Sequence, residues 1–554
     1  MFNKIKNHFL IISFSIIYLL VGLLTYKDYG IGIEEHFQRN SGLNWLNYIF
    51  QLFEIDSYNN IIENKLSEIK TFTPSLPGMD IANHYGVLFD LPTAFLEVFF
   101  QINNAQNYFY LRHFLNFIIF YISGIFFYNI LLDRIPNNII PFFGFLIYIL
   151  SPRIYGNSFF DGKDLFFLSI FTITLFFYLR YEKKETFINL LLFSLFCAFA
   201  TSSRIIGIII PFSFLLLIIL KILCTNDIKN NIKIFSYFLT LYLIFIYFHW
   251  PYLWTLNYHE ILNFFQPFTV QTNPKVYFNG EFFSSNHLPI SYLPIWISIT
   301  TPIYILILFF FGVSIYLKRF FTRFLNIKKV SFFYDLWRGE NEKKDFIIFI
   351  LLLQVVVIYL SFNLNLFSGW RHFLFLNFFL TYFSTYGLYL IFTHLRNSKK
   401  IIYSSIIIFS VFTSELIYKL IIYHPYQSVY FNNLINTESK MLFEIDTQSL
   451  SRRDAIKDII NLKKKDSKII LGTASWTPLE DARSMISEDN WSSLIFSGTA
   501  NKFNADYIYS NHYYEVDTRY NNKYEIPKNF YLYKVHSVDN IIVYSIYKNK
   551  NKYN

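Results

Sequence analysis

His8-Phe-Leu-Ile-Ile-Ser-Phe-Ser-Ile-Ile-Tyr-Leu-Leu-Val-Gly-Leu-Leu-Thr-Tyr26 is an unbroken apolar run, with Lys4 and Lys6 before it and Lys27-Asp28 after it. About twenty apolar residues in a helix cross the hydrocarbon core of a bilayer, and basic residues ahead of such a run suit the cytoplasmic side. The start resembles a signal peptide but has no small-residue cleavage site before Tyr26-Lys27-Asp28, so it reads as a retained span.

The same criterion marks residues 111–132, 137–153, 162–180, 186–202, 204–222, 234–253, 291–316, 346–366, 373–394 and 401–423. The expected fold is therefore a polytopic α-helical membrane protein with about eleven spans. Composition agrees: of 554 residues, 54% are hydrophobic and only 16% charged, with a mean hydropathy of +0.33, against about a quarter charged in soluble domains.

A net charge of +10 raises the question of nucleic acid, and position answers it. With the N-terminus cytoplasmic, the inside loops hold Arg134; Arg180, Lys183 and Lys184; Lys221, Lys229 and Lys233; Lys318, Arg319, Arg323, Lys328, Lys329, Arg338, Lys343 and Lys344; and Arg396, Lys399 and Lys400. The longer outside loops hold about half as many, the bias of a bacterial inner-membrane protein, and no nucleic-acid partner is expected. Cys197 and Cys224 both fall in or beside apolar stretches, so neither a disulfide framework nor a zinc cluster is available.

An odd number of spans puts the C-terminus outside. Residues 1–423 read as the transmembrane domain, with long outside loops at 27–110 and 254–290, and 424–554 as a small extracytoplasmic (periplasmic) α/β domain. In that domain Asp454 to Leu462 is helix-like, Lys468 to Leu471 strand-like, and Phe530 to Tyr547 two strands around Ser537-Val-Asp-Asn540. In the first loop, Leu43 to Phe53 and Val87 to Phe100 are amphipathic and suit short interfacial helices. Glu415 and Lys419, four apart in the last span, can pair with each other.

Charged residues collect on the outside. Tyr29-Gly-Ile-Gly-Ile-Glu34-Glu35-His36 offers two adjacent carboxylates for a general base or a metal ligand, or a plain solvated loop start. Ser151-Pro-Arg153-Ile-Tyr-Gly-Asn157-Ser-Phe-Phe-Asp161-Gly-Lys163-Asp164 puts two acids and a lysine on a glycine turn. These could hold a divalent cation or a phosphate, or Asp164 could simply begin a helix. Arg204 has no acid nearby in sequence, which fits a snorkelling anchor or a lipid-phosphate ligand. Gly369-Trp370-Arg371-His372 could add a second phosphate clamp or serve as an interface anchor. No nucleotide-binding or nucleophile-elbow motif is present, so energy comes from an activated substrate or a gradient.

Together these stretches resemble the bacterial membrane glycosyltransferases related to protein O-mannosyltransferases and aminoarabinose transferases, the glycosyltransferase family 39-like branch of the GT-C superfamily. Glu34-Glu35 stands where that family usually has Asp-Glu, and Asp161-Gly-Lys163-Asp164 resembles its Asn-Pro-Lys-Asp element. His287-Leu-Pro289-Ile-Ser-Tyr292-Leu-Pro294-Ile-Trp296 with Thr300-Thr301-Pro302, Arg371-His372-Phe373-Leu374, and His424-Pro-Tyr-Gln427-Ser-Val-Tyr430-Phe-Asn432 follow in the family's order. The chain departs from the pattern in its first Glu, in Asp161-Gly162, and in lacking an aromatic-Gly element after Phe443-Glu444.

The resemblance implies inverting transfer from a polyprenyl-phosphate-linked sugar donor to a glycan, lipid or protein acceptor. Glu34, Glu35 and Asp164 would be catalytic, and Asp161, Lys163, Arg204, Arg371 and His372 would bind substrate. Glu35, Asp161 and Asp164 could hold a divalent cation, Mg or Mn. The rival expectations are a transporter or flippase of a lipid-linked glycan, against which the one-sided charges and lack of a repeat argue, and a catalytically silent scaffold.

Overall fold

The computed structural model describes residues 2–72, 85–225, 227–257, 260, 273–325, 337–395, 399–462 and 468–552. Lys328, Lys329, Arg396 and parts of the two long loops 27–110 and 254–290 lie outside the described residues.

All eleven apolar segments are helical. They are α1 (Phe2–Thr25), α5 (Ala105–Arg134), α6 (Ile139–Leu150), α8 (Asp164–Lys183), α9 (Phe187–Ser203), α10 (Ile209–Thr225), α11 (Ile228–His249), α13 (Ile303–Leu325), α14 (Glu340–Ser361), α15 (Leu376–Leu395) and α16 (Lys399–Ile422). Among the described residues, seven helices are long and apolar enough to cross a membrane alone, and α6 forms a bent eighth with α7 (Pro152–Phe160). The protein is a multi-pass membrane protein. The α6–α7 bend of 58° falls at Ser151-Pro152, where proline removes a backbone donor and disfavours helical geometry before it.

Burial ranks the helices by position. The α8 window is 89% buried, whereas α1 and α11 are 22% and 11% buried although strongly apolar. Leu24 of α1 and Phe248 of α11 are bare in consequence, as they would be against lipid rather than water.

One end of the bundle is tied by ion pairs: Arg134 donates twice to Asp345 at 2.8 and 2.9 Å, Arg319 to the same carboxylate at 3.0 Å, and Lys221 and Lys343 meet Glu182 at 3.1 and 2.6 Å. Glu182 lies in the last turn of α8 and Asp164 begins it, so nearly the whole helix of 20 residues, about 27 Å, separates this end from the predicted site.

At the site end, α2 (Glu35–Leu52), α3 (Asn59–Phe72) and α4 (Asp90–Phe99) form a small layer around Leu43, Leu46, Phe50, Ile62, Ile69, Ala94 and Val98. Arg39 and Lys65 neutralise the buried Glu97 at 2.5 and 3.0 Å. The expected interfacial runs are thus helices, packed on one another, with Leu52, Phe53, Phe95, Phe99 and Phe100 left exposed.

The second long loop contains a hairpin, β1 (Lys275–Phe278) and β2 (Glu281–Ser284), followed by α12 (Tyr292–Thr300); Thr301-Pro302 then breaks the segment before α13. The small C-terminal α/β domain has α17 (Ser451–Ile460) and a five-stranded mixed sheet ordered β4-β3-β5-β7-β6. Its strands are β3 (Ile469–Thr473), β4 (Leu494–Gly498), β5 (Tyr507–Ser510), β6 (Phe530–Val538) and β7 (Ile541–Asn549). The predicted helix, first strand and final hairpin are present, and Asp539 and Asn540 take the positive φ of 48° and 62° that a two-residue hairpin turn requires. Lys419 does not pair with Glu415: it meets Asp539 of that turn at 2.9 Å, fastening the sheet to the last span.

Candidate functional site

The site loop, residues 27–34, is held from outside. Arg453 donates to the carbonyls of Lys27 (2.9 Å), Tyr29 (3.0 Å) and Asp28, and Arg452 to that of Ile31 (3.2 Å). Ile33 N–H donates to Gln448 O at 3.1 Å. Gly30 is required here, since a Cβ would lie 2.3 Å from Leu450 O. The C-terminal domain thereby fixes the approach to α2, and Glu34 sits at the position preceding that helix.

Glu34 and Glu35 separate. Glu35 turns inward and is buried, accepting from Gly32 N–H at 2.8 Å and meeting His113 Nε2 at 3.0 Å and Arg112 Nε at 3.6 Å. It locks the loop to α5. Glu34 keeps 27% side-chain exposure and faces three cations: Arg371 donates to it and Lys163 Nζ stands 3.8 Å away. Burial works against its charge, but Arg371, Lys163 and Arg204 outweigh that and hold the carboxyl far below its ordinary range.

The turn 161–164 supplies the opposite wall. Asp161 Oδ1 accepts the N–H groups of Asp164 (2.8 Å) and Lys163 (3.3 Å), so it is Asp161 that caps α8 and Asp164 that remains free to bind cations. Gly162 passes so close to Arg112 and Phe89 that a Cβ would meet each at 2.7 Å. Asp164 accepts from Arg204 and stands 3.7 Å from Arg371 Nε. Arg204 is thus no isolated anchor. The second oxygen of Asp161 is buried without a hydrogen-bond partner, and burial, reinforced by the charge of Asp164, pushes this carboxyl up to about 7.

Lys163 Nζ lies 3.4 Å from the Tyr85 ring centre, and Arg204 flanks the same ring at 5.9 Å. Lys163 therefore draws the Tyr85 hydroxyl below its usual range. Arg371 rests on Phe367 at 4.8 Å. His372 packs edge-on to Phe367 with its Nδ1 buried and unpaired, and burial together with Arg371 and Arg204 keeps it neutral, well below the usual imidazole range. The Nε atoms of Arg204 and Arg371 also lack hydrogen-bond partners. Beside Lys163 a narrow cleft opens between Phe37, Gln38, Tyr85, Phe89, Asp90 and Phe166.

The structure thus brings together Glu34, Asp161, Lys163, Asp164, Arg204 and Arg371, with His372 behind them, and removes Glu35 from the group. The expected cation site of Glu35, Asp161 and Asp164 is not assembled, and no three His, Cys, Asp or Glu side chains converge as metal ligands among the described residues. The side chains do not fit a divalent cation: one Asp161 oxygen is spent on capping, Asp164 on Arg204, and the cationic positions are filled by protein. Tyr85, Arg112 and His113 were not anticipated. The Arg112-His113 pair within an apolar window was a signal for a buried polar partner; Tyr85 gave none.

No family model matches this chain, and no curated protein matches it. Among the solved structures that match are two that align with nearly all of it. The crystal structure of ArnT from Cupriavidus metallidurans bound to undecaprenyl phosphate is 10% identical, covering 97% of this chain and 98% of that one, with a TM-score of 0.46. The apo state of the same protein is likewise 10% identical, covering 96% and 98%, with a TM-score of 0.45. Superposition at that level carries no residue-to-residue correspondence.

Proposed function

We propose that this protein transfers a sugar from a polyprenyl-phosphate donor to an acceptor hydroxyl or amine at the extracytoplasmic face, with inversion at the anomeric carbon. The observation that supports this most is the convergence of Lys163, Arg204 and Arg371 on Glu34 and Asp164 at one end of the helix bundle. Three cations aimed at one point suit a group carrying two negative charges, as a departing phosphate monoester does.

The carboxylates of Glu34 and Asp164 stand where that phosphate would be received. Donor binding draws Arg371 and Lys163 onto the phosphate, and Glu34, released from them, regains basicity. The acceptor oxygen or nitrogen then attacks the anomeric carbon, the bond from that carbon to the phosphate oxygen breaks with its electron pair leaving on phosphate, and the acceptor proton passes to the carboxylate. A second assignment of the base rests on one observation: Asp161 has a free oxygen and a proton affinity near neutrality. In that case Glu34 orients the cations and Asp161 takes the proton.

Purified protein mixed with a panel of polyprenyl-phosphate sugars tests the reading by thermal shift and by slow sugar release to water. Stabilisation by one member beyond that given by polyprenyl phosphate alone, with release, supports it. Folded protein that responds to none of them overturns it.

A further inference from the structure

Glu444 is a buried carboxyl, 2% exposed, that the transfer step above does not use. It sits where the C-terminal segment meets the β1–β2 hairpin. Gly280 N–H donates to Leu442 O at 3.0 Å, Phe278 and Phe443 form an antiparallel bridge, and Tyr277 N–H donates to Glu444 Oε1 at 3.2 Å. On its other side the backbone N–H groups of Ser368 and Gly369 face the same carboxyl.

Those two residues form a left-handed turn, with φ of 57° at Ser368 and 69° at Gly369. Such backbone is costly at a serine and persists only where the surroundings hold it. Three groups do so here. The Ser368 hydroxyl shares a hydrogen bond with the Tyr513 hydroxyl at 3.2 Å, the Tyr292 hydroxyl donates to Gly369 O at 3.0 Å, and Glu444 meets the N–H groups. Two residues after Gly369, Arg371 opens a short 3₁₀ turn and reaches Glu34. The direction in which Arg371 leaves the backbone is therefore set at Ser368 and Gly369.

We propose that Glu444 is a positioning residue for the transfer, with the Tyr292 hydroxyl as its counterpart: together they fix the Ser368–Gly369 turn, and through it the place of the Arg371 guanidinium. The phosphate role of Arg371 rests on the transferase reading above; the hold on the turn does not. Burial outweighs the facing N–H groups and the charge of Arg371 and pushes the Glu444 carboxyl up to about 8, so at neutral pH it is uncharged. It acts on the turn by reach rather than by charge.

Two substitutions separate reach from charge. Glu444→Gln keeps an oxygen at the same distance and removes the titrating acid. The second carboxyl oxygen has no hydrogen-bond partner, so an amide nitrogen in its place forfeits no bond. Glu444→Asp keeps the acid and withdraws it by one methylene.

The test uses the full chain in detergent. Amide exchange over residues 366–371 is read without ligand, and thermal stabilisation is titrated with polyprenyl phosphate that carries no sugar. Glu444→Asp exchanges faster in that stretch and binds polyprenyl phosphate about tenfold more weakly, the equivalent of one hydrogen bond. Glu444→Gln stays close to wild type in both. Wild-type behaviour of Glu444→Asp, or a Gln variant impaired as much as the Asp variant, overturns the proposal. Tyr292→Phe deletes only the hydroxyl on Gly369 O and serves where Glu444→Asp does not fold: faster exchange over 366–371 is expected, and wild-type exchange there overturns the proposal. Failure of the transferase reading shows separately, as wild type that neither gains stability from polyprenyl phosphate nor releases sugar; amide exchange then still judges the hold on the turn.

Discussion

Arg371 donates a hydrogen bond to Glu34 across 337 residues of sequence, so this cation of the site is held by one of its own carboxylates. Removing the Glu34 charge therefore has two opposite consequences. Glu34→Gln frees Arg371 and Lys163 for phosphate, so donor affinity holds or rises. Turnover falls about 10²- to 10⁴-fold if Glu34 is the base. Titrating donor in both proteins and following sugar release separates the two; weakened donor binding in the variant would show that Glu34 does not compete with phosphate.

Arg204 distinguishes a phosphate ligand from an anchor. Arg204→Ala leaves Asp164 buried without its main cation and removes one phosphate contact, so donor binding weakens by about 2 kcal/mol or more, roughly thirtyfold. Arg204→Lys recovers part of this and controls for misfolding. Donor dependence equal to wild type in both variants would leave Arg204 a structural residue.

Asp161 gives the protein a pH signature. Its folded carboxyl titrates near 7, against about 3.9 in an unfolded chain, so across that interval the folded state binds more protons and stability falls as pH rises. The apparent melting temperature should therefore drop between about pH 4.5 and 7 and level off above that, a window above the range in which Glu34 loses its stabilising charge. Asp161→Asn, which retains the capping oxygen, makes that fall shallower. Some remains because burial pushes Glu444 up to about 8 and it contributes with the same sign. A pH profile unchanged in Asp161→Asn would refute the assignment.

Arg453 acts on Glu34 through the backbone of residues 27–29. Arg453→Ala loosens the loop and displaces Glu34; a misplacement of about 1 Å costs around 100-fold in rate. The fall should appear in kcat, with donor KM little changed and faster amide exchange confined to residues 27–33. Unaltered exchange there would contradict the positioning role.

Much of this was legible in the sequence because the bilayer is a demanding solvent. The apolar segments read from the sequence are all helical, and seven of these helices, or eight with the bent α6–α7 pair, are long and apolar enough to cross a membrane among the described residues. The site was legible as charge where charge is costly: Asp161, Lys163, Asp164, Arg204 and Arg371 each interrupt apolar sequence, and they meet. Direction was not legible. Glu34 and Glu35 are neighbours, but successive positions at a helix start diverge by about 100°, so one faces the cations and the other His113. Lys419 finds Asp539 rather than Glu415 because the partner lies 120 residues on and is chosen by docking of the sheet. The clamp of Arg452 and Arg453 on the loop is equally a product of tertiary packing.

The central claim is that the cation cluster receives a phosphate whose sugar is then released. Single-turnover release from the stabilising polyprenyl-phosphate sugar, measured in wild type, Glu34→Gln and Asp161→Asn, addresses it directly. The account predicts release by wild type, loss in whichever variant lacks the base, and retained donor-induced stabilisation in both. Release at the wild-type rate in both variants would contradict it.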